Sequence, residues 1–150
     1  MNISYAGINL IKKFEGFRSE AYQDTDKYWS IGYGHHDEWN GNKIIQGMRI
    51  TEMEATVILL KDIQKVEIVL NSTIFVELSQ NQFDALCSLV FNIGTGAFKR
   101  SNMLLLLNNK EFDSVASEFL HWSRVGTIKD CLLNRRKSES NLFTSSLNNN

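Results

Sequence analysis

Apolar residues recur at helical spacing in several stretches of the chain. Near the N-terminus, three of them follow one another at intervals of three: Ile8, Ile11 and Phe14. Ser4 precedes this stretch and is a residue type that caps helices, while Gly16 follows it and can end a helix. We therefore predict a first helix over about 5–15.

Two capping boxes, each a hydroxyl residue with an acid or amide three positions later, precede longer apolar stripes. The first begins at Thr51 and predicts a helix over about 52–71. At 1.5 Å per residue this helix would be about 30 Å long, enough to join two lobes. The second begins at Ser79 and predicts a helix as far as Ile93, which the glycines of residues 94–96 then break.

The pattern between the first two helices is different. From about residue 17 to 48 aromatic residues alternate with glycines, and Asn40-Gly41-Asn42 is a turn signal, which together indicate a small antiparallel sheet. Further helices are predicted near 101–108, 111–123 and 132–143, and the polar tail from Ser145 onwards is expected to be frayed.

These elements predict an α+β fold in one domain, 1–150. A sheet-containing lobe covers about 15–50, and the helix over about 52–71 connects it to the rest of the chain. A mainly helical lobe contains about 72–143 together with the N-terminal helix, 5–15.

Composition narrows the function classes. The chain has 150 residues and a net charge of −1, so no basic surface for nucleic acid is predicted. No apolar stretch approaches the ~18–20 residues of a membrane span, and no signal peptide is visible. We expect a monomer without membrane or nucleic-acid partners. Cys87 lies on an apolar helical stripe, and with Cys131 it does not make a disulfide framework.

Three residues in the first lobe have the chemistry of a glycoside hydrolase. Glu15 ends the first helix, Asp24 follows after eight residues, and Ser30 after five more. Glycosidic cleavage needs one carboxyl to protonate the leaving oxygen and a second carboxylate on the other side of the sugar. Glu15 has aromatic neighbours, and a partly dehydrated carboxyl keeps its proton more readily, whereas Asp24 lies in a polar loop. Spacing alone also fits solvated surface acids.

The surroundings of this trio resemble the phage-type lysozymes of glycoside hydrolase family 24. The matching segments, in family order, are residues 12–18, 21–24, 29–35, 47–51, 78–86, 91–94, 119–122 and 135–136. The resemblance implies a lysozyme-like fold with its active site in a cleft between the two lobes. It also implies hydrolysis of the β-1,4 bond between N-acetylmuramic acid and N-acetylglucosamine in bacterial peptidoglycan.

By the same resemblance, Glu15 is the general acid, and Asp24 with Ser30 holds the attacking water of an inverting reaction. The family has threonine where this chain has Ser30. Serine keeps the hydroxyl but lacks the γ-methyl group that stiffens a β-branched side chain, so we expect reduced activity.

Four further residues are candidates for substrate binding, each beside a structural alternative. His35 either supports the site or is a hydrogen-bonded histidine of the sheet lobe. Asn92 resembles a cleft residue of the family or ends its helix. One alternative for Arg135 and Arg136 is a solvated helix face. The other, which the family resemblance implies, is that at least one of them faces the catalytic glutamate. The sequence leaves open which arginine that is. No metal site is predicted, because His35 and His36 are adjacent and lack a spaced partner motif.

The predicted function is therefore that of a bacteriolytic endolysin that needs no cofactor, since its chemistry is acid–base catalysis with water. One alternative is a lytic transglycosylase, which cleaves the same bond without water and would not need Asp24. Another is a catalytically weakened peptidoglycan-binding protein, which the serine at position 30 makes conceivable. By resemblance, the protein accumulates in the host cytoplasm and reaches the cell wall after a holin opens the membrane.

Overall fold

A computed structural model describes residues 1–24, 26–125, 127–128 and 130–145, so the predicted frayed tail beyond Ser145 lies outside the described residues. The chain separates into two compact units. The smaller unit is Ile11–Gln64, and the larger contains Met1–Leu10 and Lys65–Asn150.

The first helix is α1 (Tyr5–Glu15), as the apolar spacing predicts. The backbone N–H of Ile8 donates to the carbonyl of Ser4, whose side-chain hydroxyl accepts from the N–H of Gly7 at 3.3 Å. The Ser4 hydroxyl also donates to the carboxylate of Asp84. The predicted N-cap is therefore present, and it is fastened to a helix of the larger unit.

The smaller unit contains the predicted sheet as two short antiparallel hairpins. The first consists of β1 (Arg18–Gln23) and β2 (Trp29–Gly32), and the second of β3 (Glu38–Trp39) and β4 (Asn42–Lys43). The outer edge of β1 is also paired, since Ala21 N donates to Met48 O at 2.9 Å and Ile50 N donates to Ser19 O at 2.9 Å.

The long helix is α2 (Glu52–Thr73), and its predicted capping box is present. Glu54 N donates to Thr51 Oγ1 at 3.2 Å, and Thr51 N donates to the Glu54 carboxylate at 2.8 Å. The buried apolar side chains of the smaller unit come from α1, the sheet and the first half of α2, and include Ile11, Ala21, Ile31, Tyr33, Ile44, Ile50, Ala55, Leu59 and Ile63.

The larger unit is helical, and its later helices are α3 (Gln80–Ile93), α4 (Thr95–Lys99), α5 (Asn102–Asn108), α6 (Phe112–Glu118) and α7 (Leu133–Ser145). The Ser79 capping box at the start of α3 is present as predicted. Two predictions were wrong in detail. The chain forms the short helix α4 directly after Gly94, where only a break was expected, and a 3₁₀ turn (Phe119–Trp122) replaces the end of the helix predicted over 111–123.

The core of the larger unit surrounds α3, which is buried along most of its length. Its fully buried side chains include Phe83, Leu86, Cys87, Leu89, Phe98, Met103, Leu107, Phe119 and Phe143. Trp122 packs against this cluster, and the buried Cys87 behaves as a small apolar residue.

Candidate active site

Glu15 is the last residue of α1 and is half-buried in the smaller unit. The preceding turn of the helix is fastened to its surroundings by Lys12. Its ammonium donates to Thr56 Oγ1 at 2.9 Å and lies 5.2 Å from the centre of the Tyr33 ring. These contacts hold the end of α1 against both α2 and the segment that follows β2, so the position of Glu15 is defined by its unit and not by the helix alone.

Gly34 lies directly against the carboxyl group of Glu15. A Cβ atom built at Gly34 would be 3.3 Å from Glu15 Oε2, and the backbone there has φ +81°. Both the close approach and the left-handed backbone favour glycine, because an L-residue would be strained in this conformation. The glycine therefore allows the strand end to pass beside the carboxyl.

The end of β2 is held against α2 by two contacts. The Tyr33 hydroxyl donates to Glu52 Oε1 at 2.9 Å, and partial burial together with this bond raises the pKa of Tyr33. At Gly32 an added Cβ would be only 3.0 Å from the Cβ of Ala55. This close packing fixes the strand that carries Ser30.

Asp24 follows β1 and is exposed. Its Oδ1 atom accepts the backbone N–H of Asp26 at 3.0 Å and that of Tyr28 at 2.9 Å. The side chain therefore organises the turn of the first hairpin. Within the described ranges no donor approaches Oδ2, so one carboxylate oxygen is committed to the backbone and the other remains available to a ligand.

Ser30 lies in β2 directly opposite Tyr22 of β1 and is only 4% exposed. Its hydroxyl forms no hydrogen bond with any other residue that the structure describes. Side chains alternate between the two faces of a strand, so Ser30 points away from the fully buried Ile31 and shares a face with Tyr22. Asp24 comes two residues after Tyr22, just beyond the end of β1.

Tyr22 was not singled out from the sequence, although it stands between the two carboxylates in the chain. Its ring is half-buried, and Arg18 lies over it with the guanidinium carbon 4.5 Å from the ring centre. Burial raises the pKa of Tyr22, the charge of Arg18 opposes this, and the negative charges of Glu15 and Asp24 raise it further. The charges of both candidate carboxylates therefore affect the pKa of the same tyrosine.

His35 is held by protein groups on both sides of its ring. Nδ1 is 2.6 Å from Asp62 Oδ2, and Nε2 is 3.3 Å from the carbonyl oxygen of Glu38. The hydrogen bond to Asp62 raises the pKa of His35 above its usual range, against the effect of burial. These contacts support the structural alternative for His35, and a role in substrate binding stays a prediction.

Comparison with known proteins identifies the family of the chain. The sequence matches the phage lysozyme family over residues 12–139. It is 44% identical to the endolysin of Salmonella phage P22 over 97% of this chain and 99% of the relative. The chain belongs to the phage lysozyme family.

Solved structures from this family have the same fold. A crystal structure of the P22 lysozyme mutant L86M superposes with a TM-score of 0.89 at 43% identity, covering 97% of this chain and 99% of that one. The endolysin of Escherichia coli O157:H7 phage FAHEc1 gives 0.91 at 34% identity, with 97% and 95% covered. The predicted lysozyme-like α+β fold is thereby confirmed, and the protein is a lysozyme.

Arg135 and Arg136 lie in the larger unit of this phage lysozyme and are 4% and 0% exposed. The alternative of a solvated helix face is wrong for both, although the next residue, Lys137, is exposed. Both guanidinium groups bind the fully buried Glu139, with Arg135 Nε 3.1 Å from Oε1 and Arg136 Nε 2.8 Å from Oε2.

Ser88 completes this buried cluster from α3. Its hydroxyl donates to Glu139 Oε1 at 2.6 Å, and its backbone carbonyl accepts from Arg135 Nη2 at 3.1 Å. A charge excluded from water is stable only when it is paired and hydrogen-bonded, and these contacts supply that compensation. Substrate binding by Arg135 or Arg136 stays a prediction, and the observed contacts give both residues a structural task.

Asn92 lies in the last turn of α3 and is exposed, and the residue in the C-cap position is Gly94. A contact of Asn92 with the sugar chain stays a prediction. Within residues 1–24, 26–125, 127–128 and 130–145, no cluster of three or more histidine, cysteine or acidic side chains could hold a metal ion. In the same ranges, no helix is both long and apolar enough to cross a membrane.

The sequence contained weak signals for the partners that were missed. Glu139 follows Arg135 and Arg136 at helical spacings of four and three, which favour ion pairs on one helix. Asp62 is 27 residues from His35, so its pairing depends on how α2 packs and could not be found from local spacing.

Proposed function

We propose that this lysozyme is an endolysin that hydrolyses the β-1,4 bond between N-acetylmuramic acid and N-acetylglucosamine in bacterial peptidoglycan. Membership of the phage lysozyme family supports the substrate class. In this proposal Glu15 is the general acid. The carboxyl is half-buried at the end of α1, beside the backbone of Gly34, and the family resemblance assigns it the acid role.

The observation that carries the water-holding part of the proposal is Ser30, a residue only 4% exposed whose hydroxyl has no hydrogen-bond partner among the described residues. A hydroxyl can both donate to and accept from water, so a water molecule between Ser30 and Asp24 would satisfy it. Asp24 Oδ2 is available for this purpose because Oδ1 is bound to the turn.

The reaction then has one displacement step. Glu15 gives its proton to the leaving oxygen as the glycosidic C–O bond breaks and positive charge develops on the sugar ring. The water held by Asp24 and Ser30 attacks the anomeric carbon from the opposite face, and Asp24 accepts its proton as the new C–O bond forms. The product sugar has inverted configuration, and proton exchange with solvent restores both carboxyl groups.

The acid role is tested by replacing Glu15 with glutamine and following the turbidity of a cell-wall suspension. Loss of a general acid costs about 10²- to 10⁴-fold in rate, so we expect Glu15→Gln to have almost no lytic activity. Glu20→Gln is the matched control, because Glu20 is exposed on β1 and pairs with Arg49 on the surface at 3.0 Å. Full activity in Glu15→Gln would show that the assignment is wrong.

The water-holding role is tested with Asp24→Asn beside Asp26→Asn, an exposed acid two residues away in the same turn. We expect Asp24→Asn to lose activity and Asp26→Asn to keep it. The fragments released by the native protein should carry reducing ends that appear first as the inverted anomer in NMR spectra. Anhydro ends in their mass spectra would instead establish the transglycosylase alternative, and binding without any release would establish the weakened binding protein.

Ser30→Thr tests the effect of the missing methyl group. Threonine restricts the side-chain rotamer, so the water would be held more firmly, and we expect kcat to rise a few-fold. A slower Ser30→Thr variant would show that serine is not a compromise at this position.

We also propose that the protein is a monomer that accumulates in the host cytoplasm and reaches the wall after a holin opens the membrane. Cells that express it alone should then keep their turbidity until the membrane is permeabilised. Spontaneous lysis without permeabilisation would contradict this route, and analytical ultracentrifugation tests the oligomeric state.

A further inference from the structure

Tyr22 and Ser30 form a cross-strand pair in the first hairpin. Their Cα atoms are register partners in the antiparallel pairing of β1 and β2. Directly opposite residues have Cβ atoms about 4.5–5.5 Å apart and project from the same face. Because Ser30 is 4% exposed although its hydroxyl points away from the buried Ile31, the half-buried ring of Tyr22 is placed to shield it.

An irregularity in β1 brings Arg18 to the same ring. Arg18 pairs with Gly32 and Tyr22 with Ser30, so four steps along β1 correspond to two along β2. The extra residues turn outward, where Ser19 and Ala21 bond to the segment 48–50. A bulge of this kind shortens the distance between the residues on either side of it. The guanidinium of Arg18 therefore reaches over Tyr22, 4.5 Å from the ring centre.

The electrostatics of Tyr22 agree with a place beside the reacting groups. Burial raises the pKa of Tyr22, and the negative charges of Glu15 and Asp24 add to this effect. The phenol is therefore neutral at any pH at which the carboxylates work, and its ring can act as a fixed wall rather than as an ion.

We propose that Tyr22, held by the stacked Arg18, is a positioning residue that confines the Ser30 hydroxyl to the rotamer that binds the attacking water. The inference rests on the proposed function of Ser30. A threonine side chain is stiff at χ1 by itself, whereas a serine side chain needs restraint from its neighbours. In this lysozyme part of the restraint that a γ-methyl group would give comes from the ring of the residue across the strand.

The proposal predicts that removing the ring of Tyr22 lowers kcat, whereas removing only its hydroxyl does not. Tyr22→Leu removes the flat wall, and we expect kcat to fall about tenfold while KM changes less than about twofold, because water placement affects the chemical step and not sugar binding. Tyr22→Phe keeps the wall and should retain kcat within about twofold. Tyr28→Leu, on an exposed tyrosine of the same hairpin, is the matched control and should behave as the native protein.

The decisive experiment is a double-mutant cycle between Tyr22→Leu and Ser30→Thr, with folding checked by circular dichroism. In the Ser30→Thr background the side chain is already restrained, so the loss of kcat caused by Tyr22→Leu should shrink to less than about threefold. An equal loss in both backgrounds, or no loss in either, would overturn the positioning role.

Ser30→Ala separates this proposal from the function on which it rests. A large loss of kcat in Ser30→Ala, with no further loss on adding Tyr22→Leu, supports both. Full kcat in Ser30→Ala refutes the water-holding role of Ser30, and the positioning role with it. A large loss in Ser30→Ala with a further undiminished loss from Tyr22→Leu leaves the proposed function intact and refutes only the positioning role.

Discussion

The ion pair between His35 and Asp62 predicts a specific pH dependence of stability. Nδ1 and Oδ2 are 2.6 Å apart, and the side chains are 11% and 19% exposed. A hydrogen bond to a charged group contributes about 1.5–3 kcal/mol in proteins, and these two side chains are shielded enough to fall in that range. We therefore expect Asp62→Asn to lower the free energy of unfolding by about 1.5–3 kcal/mol when His35 is charged.

The direction of the pH effect follows from the pKa of His35, which lies above the ordinary histidine value of 6.5. The hydrogen bond to Asp62 is the main cause, burial opposes it, and the Glu38 carbonyl and the charge of Asp37 add to it. A pKa that is higher in the folded state gives a stabilisation that is complete below the unfolded pKa. This stabilisation disappears as the pH rises through the folded pKa, so the cost of Asp62→Asn should be largest near about pH 5.5 and shrink in alkaline solution.

Urea unfolding followed by circular dichroism, at a series of pH values from about 5.5 to 9.5, measures this difference. In a protein of this size the expected change corresponds to a Tm about 3–12 °C lower at the acidic end. Asp37→Asn is the matched control and should have a much smaller effect, because Asp37 is the last of the causes. A destabilisation that is the same at every pH would refute the reasoning, as would an unchanged His35 pKa in NMR titrations of Asp62→Asn.

Two other changes have clear expected outcomes. Glu139→Gln leaves Arg136 without its buried counter-charge and should lower the free energy of unfolding by about 3–5 kcal/mol in urea titrations, whereas Lys137→Gln on the exposed face should be nearly neutral. Equal stability of the two variants would contradict the structural role of this cluster. Gly34→Ala puts a methyl group 3.3 Å from the Glu15 carboxylate on a left-handed backbone. It should cost about 1 kcal/mol or more and reduce cell-wall lysis, and unchanged lysis would show that the close approach is unimportant.

Local signals were sufficient to predict most of the helices. The capping boxes at Thr51 and Ser79 specify where α2 and α3 begin, because a short polar side chain satisfies backbone N–H groups that the helix leaves free. The short helix α4 escaped prediction because Gly94 and Gly96 read as breakers, while its stability comes from the burial of Phe98 in the core of the larger unit.

The candidate site was predicted only as far as its residues are neighbours in the chain. Glu15, Asp24 and Ser30 belong to one unit of contiguous sequence, Ile11–Gln64, and their chemistry could be read from residue type and family resemblance. What the resemblance could not give was the environment of each side chain, such as the division of the Asp24 carboxylate between the turn and a free oxygen.

The sequence by itself determined the α+β class and most of the helix starts, because these depend on local periodicity and capping, and the family resemblance nominated the candidate carboxylates. Only the tertiary structure decided that Arg135 and Arg136 are buried against Glu139, that His35 pairs with Asp62, and that Tyr22 faces Ser30 across a bulged strand. Burial and pairing depend on which elements pack together. Residue type alone does not show whether a charged side chain is paired with a buried carboxylate or is hydrated at the surface.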